Sequence, residues 1–108
     1  MNEEWNIVFS EAFDESFEQT ISYLRYCGTS ENFIDEFVDD LETFINEKIA
    51  PRPLSHTEFK YWRIPNKSFR RAIFKKKYYI IYKVYDERLE FRLFISSKRD
   101  LTKISIQD

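Results

Sequence analysis

The chain has 108 residues, 43% of them hydrophobic and 33% charged, the size and balance of a single globular domain spanning residues 1–108. One cysteine (Cys27), one histidine (His56) and one glycine (Gly28) exclude an internal disulfide, the usual Cys/His metal cages and Gly-rich phosphate loops. The net charge of -2 conceals a polarity: residues 1–49 carry 13 acidic and 2 basic side chains, residues 50–108 carry 6 and 15, so an anionic partner for the second half and mutual attraction of the halves are both open readings.

No apolar run approaches the roughly 18 residues that cross a bilayer, and Met1-Asn2-Glu3-Glu4-Trp5 lacks a basic segment followed by an apolar one. A cytoplasmic protein with no membrane partner is expected. Trp5, Ile7 and Phe9 alternate with Asn6 and Val8, which predicts a short first strand with one face on the core. Ser10 stands as an N-cap, with Glu11, Asp14 and Glu15 in the first turns where the helix dipole favours anions. Phe13, Phe17, Ile21 and Leu24 make the apolar stripe of that helix, and Gly28 ends it. Thr29 or Ser30 caps a second helix carrying Ile34, Phe37, Val38, Leu41, Phe44, Ile45 and Ile49 on its apolar face, and Pro51 and Pro53 stop it. The two helices are expected as an antiparallel hairpin.

Residues 54–67 read as a connection with an extended piece around Tyr61 to Ile64, closed by Pro65 and Asn66. Three segments of period two follow, Ser68 to Phe74, Tyr78 to Tyr85 and Arg88 to Ser96, joined by Lys75-Lys76-Lys77 and Asp86-Glu87, and predict a three-stranded antiparallel meander. In the middle strand Tyr78, Ile80, Tyr82 and Val84 face one way and Tyr79, Ile81, Lys83 and Tyr85 the other. In the last strand Leu89, Phe91, Leu93 and Ile95 share one face, opposite Glu90, Arg92, Phe94 and Ser96. Leu101 to Asp108 either extends this strand or is loose. The fold class is α+β: an N-terminal strand, an antiparallel helix hairpin and a meander, with helices on one sheet face and a basic, tyrosine-bearing opposite face.

Adjacent on a strand, Arg70 and Arg71 should point to opposite faces, the solvent-facing one able to meet an acidic partner or a phosphate. Lys75 and Lys77 belong to a solvated turn or to the same surface; Tyr79 and Tyr82 either pack or stack on a partner. Asp35, Glu36, Asp39, Asp40 and Glu42 are the solvated face of a helix rather than metal ligands, and His56 has no matching Ser or Asp motif for a nucleophilic triad. No cofactor or metal is implied.

The order strand, helix, helix, meander, with Ile7-Val8-Phe9-Ser10-Glu11-Ala12-Phe13, Ala50-Pro51-Arg52-Pro53, Phe69-Arg70-Arg71, Tyr78-Tyr79-Ile80-Ile81-Tyr82-Lys83-Val84-Tyr85-Asp86 and Ile95-Ser96-Ser97-Lys98-Arg99-Asp100, resembles the RelE/ParE family of bacterial toxins. The resemblance implies the toxin of a type II toxin-antitoxin pair, held inactive by a small cognate antitoxin. Members resembling RelE cut messenger RNA on the ribosome without a metal, using cations around the scissile phosphate and a basic or phenolic group for proton transfer. In that branch the catalytic candidates here are Arg70, Arg71 and Arg99. Ala72 and Tyr79 stand where further cations are expected, no tyrosine follows Tyr85, and Ser96 or Ser97 takes the place of a histidine. Those departures favour the ParE-like branch, which poisons DNA gyrase by binding it. The candidate surface for target or antitoxin then comprises Arg70, Arg71, Lys75, Lys77, Tyr79 and Tyr82, with Lys98 and Arg99 added by the resemblance.

Overall fold

The computed structural model describes residues 5–60 and 68–98, the side chains of 59, 60 and 68 excepted. Its elements are β1 (Asn6–Phe9), α1 (Glu11–Tyr26), α2 (Glu31–Phe44) with a π-helical turn (Ile45–Ile49), β2 (Thr57–Lys60), β3 (Ser68–Phe74), β4 (Tyr78–Val84) and β5 (Arg88–Ser96). The α+β class holds, but the sheet is a mixed one of five strands in the order β1-β5-β4-β3-β2. The expected meander β3-β4-β5 forms its centre. β1 adds to one edge parallel to β5, and β2 adds to the other antiparallel to β3. The segment Thr57–Lys60, expected as part of a connection, is thus a strand; pairing to β3 supplies the ladder that its sequence does not announce. The expected piece at Tyr61 to Ile64, Arg99 and the tail from Leu101 lie outside the described residues.

Both helices begin as their caps dictate. Ser10 Oγ accepts from the Phe13 amide at 3.0 Å, and Ser30, rather than Thr29, accepts from the Phe33 amide at 3.2 Å. Gly28, at φ +84°, closes α1: its amide donates to the Arg25 carbonyl, and the Thr29 amide donates to the Leu24 carbonyl. Leu41, Ile45 and Ile49 recur every four residues, a spacing that drifts by about 40° per step on an α-helix. The π-helical turn, in which the Ala50 amide donates to the Ile45 carbonyl, widens the last turn and keeps Ile45 and Ile49 both buried.

Phe13, Ile21, Ile34, Phe37, Leu41, Ile45 and Ile49 from the helices pack with Ala72, Phe74, Ile80, Tyr82, Leu89, Phe91 and Phe94 from the sheet. A smaller cluster, Phe69, Ile81, Leu93 and Ile95, occupies the opposite face with Tyr79 and Ala12 against it. β4 alternates as expected. β5 does not: Ile81 pairs with Leu93 but Tyr82 with Phe91, so Arg92 is the extra residue of a β-bulge. The bulge flips the alternation, putting Phe94 on the helix side with Leu89 and Phe91, and Leu93 and Ile95 on the other. Beyond β1, α1 takes over the neighbouring edge of β5: the Ser10 amide donates to the Phe91 carbonyl at 2.9 Å, and Ser16 Oγ accepts from the Phe94 amide at 3.0 Å. Val38, expected in the core, is 39% exposed, because α1 packs chiefly on β5 and only sparsely on α2.

The turn between β3 and β4 places Lys75 and Lys76 at φ 52° and 61°, with the Lys77 amide donating to the Phe74 carbonyl at 3.1 Å. Two consecutive left-handed residues make the primed hairpin turn that Asn-Gly normally supplies. Lys76→Gly removes the Cβ strain and should stabilise the fold by about 1 kcal/mol, read as a rise of several degrees in Tm. An unchanged or lower Tm would refute this backbone geometry.

Candidate functional site

Charge is sorted by layer. α1, α2 and the π-helical turn together carry eleven carboxylates, seven of them from Glu31 to Glu47, against only Arg25 and Lys48. Residues 68–98, which include β3 to β5, carry nine basic side chains against Asp86, Glu87 and Glu90. The polarity along the chain is therefore a polarity across the molecule.

The structure divides the expected site residues. At one end of the sheet the β3–β4 turn lies beside the end of β5: Tyr78 pairs with Ser96, and the Ser97 amide donates to the Lys77 carbonyl at 2.7 Å. This register brings Lys75, Lys76, Lys77 and Lys98 to one edge, all exposed. Lys75 Nζ is 2.6 Å from Asp40 of α2, tying the turn to the helix layer; with both side chains solvent-exposed the pair contributes at most about 1 kcal/mol. A cleft of about 270 Å³ borders this edge, lined by Ser16, Gln19, Thr20, Tyr23, Tyr78, Phe94, Ile95 and Ser96. Tyr23 was not singled out in the sequence; Tyr78 reads there as one of an alternating series and Ser96 as a replacement for a histidine, and only strand register makes the two neighbours.

Arg71 lies on the sheet face away from the helices, about 10 Å along β3 from the turn by strand rise. Its guanidinium stacks 4.8 Å from the Tyr79 ring centroid. Nearer the other end of that face, Arg88 stacks on Tyr85 at 4.2 Å and faces Glu90 Oε2 across 2.7 Å. Glu90 also accepts from Arg92, which donates in addition to the Tyr85 hydroxyl at 3.1 Å.

Arg70 points to the helix side, as its pairing with Tyr82 requires, and donates to the carbonyls of His56 at 3.0 Å and Leu54 at 3.3 Å. Tyr82 has no exposed surface and donates its hydroxyl to the Pro53 carbonyl at 2.5 Å. Arg70 was expected as a contact for a partner, and Tyr82 either to pack or to stack on one. Instead they anchor the loop after the π-helical turn, because even-numbered positions of β3 and β4 face the core there. Tyr82 thus cannot stack on a partner, and Arg70 and Arg71 cannot converge on one phosphate from opposite faces of a sheet. His56 Nε2 donates to the Lys48 carbonyl at 2.8 Å in the same loop.

The tyrosine hydroxyls with displaced pKa values all shift upward: Tyr23 through its contact with Cys27, and Tyr78 and Tyr82 through burial. Each shift moves the phenol away from proton transfer near neutral pH. Among the described residues no three His, Cys, Asp or Glu side chains are grouped to hold a metal, and no helix is long and apolar enough to cross a membrane. No known family model matches the chain, and comparison with curated proteins returns no match.

Proposed function

We propose that the chain is the toxin of a type II toxin-antitoxin pair, acting as a binding protein of the ParE-like kind on DNA gyrase, with a cognate antitoxin masking it. The observation that carries the reading is the segregation of charge: a lysine edge formed by Lys75, Lys76, Lys77 and Lys98, with Arg71 further along the outer face, opposed to an acidic helix layer. Such a surface suits an anionic or nucleic-acid-bound target, whose encounter it accelerates electrostatically. The chain order also supports it: β1, then α1 and α2, then, after the added edge strand β2, the antiparallel strands β3, β4 and β5. The rival reading, a ribosome-dependent messenger-RNA endonuclease using Arg70, Arg71 and Arg99, needs cations convergent on one phosphate. The first two lie on opposite sheet faces and Arg70 is engaged by loop carbonyls.

Induced in a bacterium, the protein should arrest growth, and purified protein should block supercoiling by gyrase. Unimpaired supercoiling accompanied by new A-site cuts in messenger RNA selects the endonuclease reading instead; absence of growth arrest removes both. Lys77→Ala combined with Lys98→Ala should weaken the inhibition about tenfold while leaving unfolding free energy within about 0.5 kcal/mol, since both side chains are exposed. A folded double variant of full potency would take the lysine edge out of the site.

A further inference from the structure

The sparse packing of α1 on α2 leaves an open groove of about 430 Å³. Ile7, Phe9, Phe17, Val38, Leu41 and Ile45 line it, and its polar contributors are Asp14, Glu42 and Asn46. Phe9 is 42% and Val38 39% exposed, although the Phe9 ring lies tilted 5.2 Å from Phe13 and stacks on Phe91 at 5.3 Å. These are apolar groups held in place by the core yet presented to solvent, the composition of a recognition groove rather than of an ordinary surface. On α2 the positions 38, 41 and 42, continued by Ile45 at the start of the π-helical turn, follow one stripe, so the groove offers a helical ridge for another helix to pack along.

Charge decides the occupant. Among the described residues no basic side chain lines the groove; Glu18 lies one turn beyond Asp14 on α1, and Asp35 and Asp39 lie one turn before Val38 and Glu42 on α2. Lys75 of the β3–β4 turn is engaged by Asp40 of α2, and Lys48 of the π-helical turn lies outside the lining. A second copy of this chain would bring the same carboxylates against their like. We propose that the groove docks an amphipathic helix of a partner protein whose apolar stripe is flanked by lysines or arginines. This inference does not rest on the toxin reading; it uses the acidic helix layer, whereas that reading uses the basic edge of the sheet.

The test uses the full chain and two synthetic helices of about 16 residues with the same leucine stripe at i, i+3, i+4 and i+7, one flanked by lysines and one by glutamates. The lysine helix should bind at least about tenfold more tightly than the glutamate helix, and its binding should shift the NMR signals of Ile7, Val38, Leu41 and Ile45. Val38→Lys, at an exposed position that tolerates a polar side chain, should abolish that binding and leave the Tm unchanged. Asp14→Lys with Glu42→Lys should invert the preference between the two helices. Equal binding of both helices overturns the proposal, as does a charge-swapped variant that keeps the original preference, or signal shifts confined to other surfaces. Sedimentation showing a dimer that Val38→Lys dissociates would give the groove to a second copy and overturn it as well. Growth arrest and gyrase inhibition are scored separately, so loss of one reading leaves the other standing.

Discussion

Phe94→Ala should lower the unfolding free energy by about 3–5 kcal/mol, the range for deleting a buried aromatic ring. That is a large share of the roughly 5–15 kcal/mol that holds a domain together. Phe94 is the hub of the aromatic core: its ring lies 5.1 Å from Phe17, 5.0 Å from Tyr78, 6.1 Å from Phe37 and Phe74, and 6.2 Å from Phe13. One ring thus joins α1, α2, β3 and β4, and the cavity left by its removal cannot be filled from any single element. Phe33→Ala, at a site 49% exposed whose ring lies 6.5 Å from that of Phe37, is the control and should cost less than about 1 kcal/mol. Urea unfolding of both variants checks the contrast. The experiment also reads the β-bulge, because a strand alternating without interruption would put Phe94 beside Glu90 and Arg92, away from the helices. Equal, small losses for the two variants would exclude that bulge.

Tyr82→Phe should cost about 1–3 kcal/mol although it keeps the ring, since the buried Pro53 carbonyl loses the donor that Tyr82 supplies. Its pH dependence has a definite sign. Burial raises the Tyr82 hydroxyl above its ordinary value of about 10, and the charge of Arg70 opposes this only in part. The folded state therefore holds the proton more tightly than the unfolded chain does. The stability linked to this proton is fully present below about pH 10 and is lost as pH rises toward the folded-state value. Tyr78, raised by burial too, contributes with the same sign. Urea midpoints for the wild-type chain should be flat from neutral pH to about pH 10 and fall beyond it. In Tyr82→Phe the fall should be shallower by one proton's worth of slope. Identical alkaline slopes in the two proteins would show that Tyr82 ionises without opening the core.

Much of the local structure was legible in the chain because its signals are local. The Ser10 and Ser30 caps, the Gly28 stop, the apolar stripes of both helices and the alternation of β4 each depend on residues within one or two turns of one another. β2 was not legible. Thr57–Lys60 becomes a strand only when β3 supplies partners. The lysine edge was half legible: Lys75, Lys77 and Lys98 stand out as charges, but their meeting depends on the register of β4 with β5. Arg70 and Tyr82 misled because a residue type that suits a contact surface also suits a buried anchor; the choice is made by which face of the sheet the helices cover.

Sequence by itself determined the class of the fold, the two helix starts, the strands of the meander and the charge polarity, all of which follow from periodicity, capping chemistry and composition. Tertiary structure alone decided three things. The parallel docking of β1 on β5 needs partners more than eighty residues apart. The bulge at Arg92, which exchanges the faces of Phe94 and Leu93, is not fixed by the pattern, because Leu93, Phe94 and Ile95 are all apolar and suit either face. The groove beside Val38 exists because α1 settles on β5 and leaves α2 partly uncovered, and no pattern within a helix records how closely its neighbour will approach.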